Sequence, residues 1–189
     1  EETLNGEILI EALDRAGNSI SLSRTFRVDT ADPAIENLLI DSTSFESGLH
    51  YRNESFNISF DITDSLQLAS YSFTRTNPDE SETIIEENTS LSGKALPRIF
   101  TKTPVTEAGE LADGTYEYTI TVTDAVGKST SLTRTVMVDT EAPALLVTAP
   151  APDESVDTDS YTIRGTADDG DGKGVASIEY SLDSTDGED

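Results

Sequence analysis

Two stretches of the chain decide its fold: Asp14–Pro33, DRAGNSISLSRTFRVDTADP, and Asp124–Pro143, DAVGKSTSLTRTVMVDTEAP, which begin 110 residues apart. They share the frame D-x-x-G-x-S-x-S-L-x-R-T-x-x-V-D-T-x-x-P without a gap. Self-similarity of this kind marks a repeated structural unit. Upstream, LNGEILIEAL from Leu4 matches LADGTYEYTITVT from Leu111 once two residues are allowed for. A second match joins the middle to the end: FDITDSLQLASYSF from Phe60 reads like GTADDGDGKGVASIEYSL from Gly165. The matches order the chain. Residues 1–31 are expected to be the last strands of one unit, 32–140 a complete unit, and 141–189 the first strands of another.

The local pattern within these blocks is alternation. Tyr116, Tyr118, Ile120 and Val122 share one face, and Glu117, Thr119, Thr121 and Thr123 the other. Phe56, Ile58, Phe60 and Ile62 alternate likewise with Ser55, Asn57, Ser59 and Asp61. Period two is the mark of a half-buried antiparallel strand. Asp14-Arg15-Ala16-Gly17 and Asp124-Ala125-Val126-Gly127 read as tight hairpins with the glycine at positive φ. No helical stretch competes. The central unit is predicted to hold seven strands: Ala34–Asp41, Ser55–Thr63, Gln67–Thr76, Thr83–Glu87, Ile99–Val105, Thr115–Thr123 and Ser129–Asp139. Seven short strands separated by turn signals describe an all-β sandwich. LADGTY adds the tyrosine-corner pattern, in which the Tyr116 hydroxyl bonds a nearby backbone group.

D-x-x-G-[NK], V-D-T-x-x-P and YTIRGTADDGDGKGVASIEYSLD together resemble the tandem immunoglobulin-like repeats of large bacterial surface and secreted proteins. The resemblance covers most of the chain and is weakest across Asn77 to Lys102. It implies an immunoglobulin-like β-sandwich in tandem array, one complete domain with a partial domain at each end, exposed at the cell surface. At Leu66-Gln67-Leu68 the chain departs from the family's usual Gly-Val, so that loop is expected to differ in shape.

In a seven-strand sandwich the second–third and sixth–seventh loops share the pole at which the linker arrives. For the central unit they carry Asp64 and Asp124, and the linker carries Asp29 and Asp32. The next joint has Asp139 and Glu141 with Asp168 and Asp169 as equivalents. Calcium takes 6–8 oxygen ligands, carboxylates among them, and is the cofactor expected at such joints. Pro33 and Pro143 stiffen the linkers in any case. The other reading makes Asp14 and Asp124 turn residues bonded to their own backbone, with the linker acids merely exposed. An EF-hand starting at Asp169 fails, because Lys173 fills its fifth place and Tyr180 its twelfth, where a bidentate Glu is required.

The composition narrows the function. With 37 acidic against 12 basic residues the net charge is −25, which repels phosphate backbones and excludes nucleic acid as a natural partner. There is no cysteine, and His50 is the one histidine, expected in a solvated loop. No stretch is long and apolar enough to span a membrane, and no signal peptide opens the chain. No nucleophile elbow, P-loop, dinucleotide fingerprint or zinc-helix motif is found, and no enzyme is expected. Asn53, Asn57 and Asn88 are formal glycosylation acceptors that matter only in a eukaryotic secretory pathway.

The expected role is that of a structural spacer in an extracellular protein. An adhesin module binding a host or carbohydrate ligand is the second reading, and an accessory domain of a secreted polysaccharide-degrading enzyme the third. The expected partners are neighbouring immunoglobulin-like domains of the same chain. The terminal blocks expose Ile8, Ile10, Leu22 and Phe26 at one end and Val147, Ile163 and Ile178 at the other. Either the chain is an excerpt of a longer array, or the tail of one molecule completes the head of the next by strand complementation.

Overall fold

The computed structural model describes residues 3–103, 112–155, 157–158, 160–170 and 174–182. These residues form strands, turns and loops, with no helix among them. Two compact units divide the chain, Glu1–Val138 and Asp139–Asp189.

The first unit opens with a long antiparallel hairpin, β1 (Thr3–Leu13) and β2 (Ser19–Asp29). It continues through β3 (Ala34–Ile40), β4 (Thr43–Ser44), β5 (Leu49–Arg52), β6 (Phe56–Thr63), β7 (Leu68–Thr76), β8 (Glu82–Asn88), β9 (Ala95–Thr103), β10 (Gly114–Asp124) and β11 (Ser129–Val138). One sheet runs β4-β3-β6-β9 and the other β5-β11-β10-β7-β8. All pairs are antiparallel except β11 with β5, which run parallel from Thr135–Leu49 to Val138–Arg52.

Alternation positions the core. In β6 the buried residues are Phe56, Ile58, Phe60 and Ile62; in β10 they are Tyr116, Tyr118, Ile120, Val122 and Asp124. The two sheets meet through these rings. Phe60 packs edge-on against Phe73 of β7 at 5.4 Å between centroids, and Phe56 against Tyr118 at 5.9 Å. Ile40, Phe45, Leu68, Tyr71, Val136 and Val138 complete a single apolar cluster. The result is a β-sandwich built by all seven predicted strands of the central block. Val105, the last residue of one of them, lies outside the described residues.

The sequence pattern does not reveal β4 or β5. The first has two residues, and the second is held by parallel pairing with a distant strand, which leaves no local signature. His50 therefore sits in β5 and not in a solvated loop. It is half-buried, edge-on to Phe45 at 4.8 Å, with Nε2 3.0 Å from the Glu46 carbonyl. The tyrosine corner forms: the Tyr116 hydroxyl donates to the Ala112 carbonyl at 2.8 Å, with Arg75 over the ring. Leu111 of that pattern lies outside the described residues. The acidic segment after Asn77 supplies β8, an edge strand.

In the hairpin β1–β2, Ile8, Ile10, Leu22 and Phe26 are exposed, and every residue of β2 except Asp29 is exposed. The second unit contains β12 (Ala144–Ala149) paired antiparallel with β13 (Arg164–Asp168), and Val147, Ile163 and Ile178 are exposed there.

Candidate metal centre

Three strand ends converge at the pole where the linker enters the sandwich. Asp29 closes β2, Asp64 follows β6, and Asp124 closes β10. One carboxylate oxygen from each lies within 4.8 Å of the other two. All three residues are buried, at 8, 8 and 2% exposure.

Each aspartate uses its Oδ1 to close its own turn. Asp29 Oδ1 accepts from the Ala31 N–H at 3.2 Å and from Ser65 Oγ at 2.9 Å. Asp64 Oδ1 accepts from the N–H groups of Leu66 and Gln67 at 2.8 and 2.6 Å. Asp124 Oδ1 accepts from Val126 and Lys128 at 2.9 and 2.8 Å. Short acidic side chains favour such turns because they replace a backbone acceptor. The second oxygen of each has no such role. Oδ2 of Asp29, Asp64 and Asp124 is enclosed and has no hydrogen-bond partner among the described residues.

The three segments are tied to one another in pairs. Ser65 links the β6–β7 loop to Asp29. The Ala125 N–H donates to the Gln67 carbonyl at 2.9 Å, joining the two loops. Lys128 Nζ donates to the Thr30 carbonyl at 2.7 Å and pairs with Asp32 Oδ1 at 3.0 Å, joining the hairpin to the linker. Thr130 Oγ1 donates to the Pro33 carbonyl beside it. The carboxylates are therefore gathered by contacts that need no ion.

That gathering is electrostatically costly. Like charges no more than 4.8 Å apart repel by roughly 3–4 kcal/mol or more per pair at an effective dielectric of about 20. Each enclosed Oδ2 has also given up water without a protein donor in return. A cation removes both penalties. The donors are hard carboxylate oxygens, which suit calcium, magnesium or manganese and not a soft metal. With Oδ1 committed to N–H groups, the aspartates offer three single-oxygen ligands; carbonyls and water would supply the remainder.

Of the acids read from the sequence, the structure brings together Asp29, Asp64 and Asp124. Asp32 turns outward to Lys128, in a pair whose side chains are 68 and 37% exposed. The others lie in the second unit. Asp139 Oδ1 accepts from Glu141 N–H and Asp168 Oδ1 from Gly170 N–H, the same turn chemistry as at Asp29 and Asp64. Asp139 and Asp169 are half-buried, Glu141 and Asp168 exposed, and among the described residues none of the four joins a three-acid cluster. Sequence reasoning missed Ser65 and Lys128. Their signals were adjacency to Asp64 and the fifth place of D-x-x-G-x.

No known protein family and no curated protein matches the chain.

Proposed function

We propose that the chain is a non-catalytic spacer segment of an extracellular bacterial protein, built from immunoglobulin-like sandwich units, and that calcium closes the joint entering the central unit. The observation that carries this reading is the trio of buried carboxylates, each with one unpartnered oxygen, drawn from the linker and two loops. The sheet pairing of β3-β6-β9 against β8-β7-β10-β11 supports the immunoglobulin-like assignment. The net charge of −25 fits a medium rich in counterions.

Calcium is favoured over magnesium because three carboxylates supply anionic oxygens and the remaining positions are open to carbonyls and water, which suits a cation of about six to eight ligands in irregular geometry. So sparse a protein ligand set belongs to the weak extracellular class, with a Kd on the order of 10⁻⁴–10⁻³ M. The role follows from where the ligands come from. Asp29 belongs to the hairpin that precedes the sandwich, so an ion held by all three aspartates fastens that hairpin to the pole.

Thermal unfolding in calcium and in chelator tests the reading. At tenfold excess over Kd, binding to the folded state alone adds about 1.4 kcal/mol, which raises the midpoint by several degrees for a unit of this size. Identical midpoints in the two conditions, at low ionic strength, would remove calcium from the joint.

A further inference from the structure

The chain contains an internal control for the metal centre, because the turn bearing Asp124 occurs twice. At Asp14 the same hydrogen-bond pattern recurs. Asp14 N–H donates to Asn18 O at 2.9 Å, and Asp124 N–H to Lys128 O at 3.0 Å. Gly17 and Gly127 donate to the aspartate carbonyls at 3.2 and 3.3 Å, with φ of 90° and 91°. Asp14 Oδ1 accepts from Ala16 and Asn18 N–H at 2.8 Å each, matching Val126 and Lys128 at Asp124.

The turns part at one atom. In the first copy Asn18 Nδ2 donates to Asp14 Oδ2 at 2.8 Å. That bond is the largest influence holding the Asp14 carboxyl below its ordinary value. In the second copy the residue at this place is Lys128. Its ammonium reaches across to Thr30 and Asp32, and Asp124 Oδ2 has no donor among the described residues while 2% of the residue is exposed. The turn itself therefore does not leave Oδ2 unpartnered; the fifth residue of D-x-x-G-x decides it.

We infer that the residue at position 128 decides whether Asp124 Oδ2 is available to a shared ion: lysine, reaching elsewhere, leaves it available, whereas asparagine would commit it to the hairpin. The inference rests on the calcium reading of the joint. It divides D-x-x-G-x turns into two kinds, self-contained where the last residue carries a short amide and ion-accepting where it carries a long cation that reaches elsewhere.

The test compares Lys128→Asn with Lys128→Met in the full chain, by calorimetric titration with calcium chloride. Both variants remove the same positive charge and the same contacts to Thr30 and Asp32. They differ in whether a short amide can reach Oδ2. The side chain is partly exposed, and asparagine already occupies this turn at position 18, so both should fold. K128N is expected to bind calcium about three- to tenfold more weakly than K128M, the worth of one hydrogen bond that must be broken. K128M is expected to match or exceed the wild type, because it takes a positive charge away from a cation site. Equal affinities for the two variants, or tighter binding by K128N, would overturn the inference while the calcium site stands. A wild-type chain that shows no heat of calcium binding would overturn the site and this inference together.

Discussion

Ser65 Oγ donates to Asp29 Oδ1 at 2.9 Å, across 36 residues of chain. It is a direct side-chain bond between the end of the hairpin and the loop that carries Asp64. Hydrogen bonds to charged groups contribute about 1.5–3 kcal/mol. Ser65→Ala should lower the stability of the first unit by an amount at the lower end of that range, since Asp29 keeps the Ala31 N–H. Urea denaturation measures it. A variant as stable as the parent would mean that Thr130 and Lys128 alone hold the linker.

Asp64→Asn separates charge from shape. The amide keeps an acceptor for Leu66 and Gln67 and removes one of three mutually repelling charges. In chelator the variant should melt several degrees higher than the parent, because two of the three repelling pairs are relieved. In calcium the order should reverse, because the variant lacks a ligand. Melting curves in both conditions decide it, and a variant that still gains stability from calcium would exclude Asp64 from the ligand set.

The core and the hairpin should respond very differently to truncation. Phe73 is fully buried between the sheets, and Phe73→Ala should cost about 3–5 kcal/mol. Ile10 is 58% exposed, and Ile10→Ala should stay within about 0.5 kcal/mol. Chemical denaturation of the two variants measures the contrast. A large loss at Ile10 would show that its face is covered in solution.

The tyrosines set the alkaline limit. Burial raises the Tyr116 hydroxyl above its ordinary value, and burial followed by the neighbouring Glu86 raises Tyr71 further. A neutral phenol favoured by the fold contributes stability that is complete below about pH 10, the ordinary tyrosine value, and lost as pH rises through the folded values. Melting temperatures from pH 8 to 12 should therefore fall steeply above pH 10. Tyr116→Phe should make that fall shallower, and should cost about 0.5–1.5 kcal/mol at neutral pH for the lost bond to Ala112. A parallel curve for the variant would place the alkaline transition elsewhere.

The alternation of β6 and β10 was legible because each has one wet and one dry face, so every second residue reports its side. Strand β5 was not, since its hydrogen bonds run to β11, more than 80 residues away, and four residues carry no period of their own. The same contrast holds at the joint. Asp29 and Asp124 could be read from the repeat frame, and Asp64 from the loop that follows the alternating strand ending at Thr63. Asp32 looked equivalent to Asp29, yet its direction is set by Lys128, 96 positions later in the chain. Turn chemistry is local and shows in the text; the choice of which carboxylate faces inward is made by side chains from other segments.

The position of β11 has a mechanical consequence. Thr130 at its start is bonded to Pro33, and Val138 at its end lies eight residues, or about 27 Å, further along the strand. Tension applied between the linker and Val138 therefore runs nearly along the axis of β11. Near its end that strand is flanked by β10 on one side and by the parallel β5 on the other. A pull in this direction must slide β11 past both neighbours, straining many rungs at once instead of peeling them singly. The four residues of the parallel strand β5 thereby add to the rungs that a pull along β11 would have to shear together.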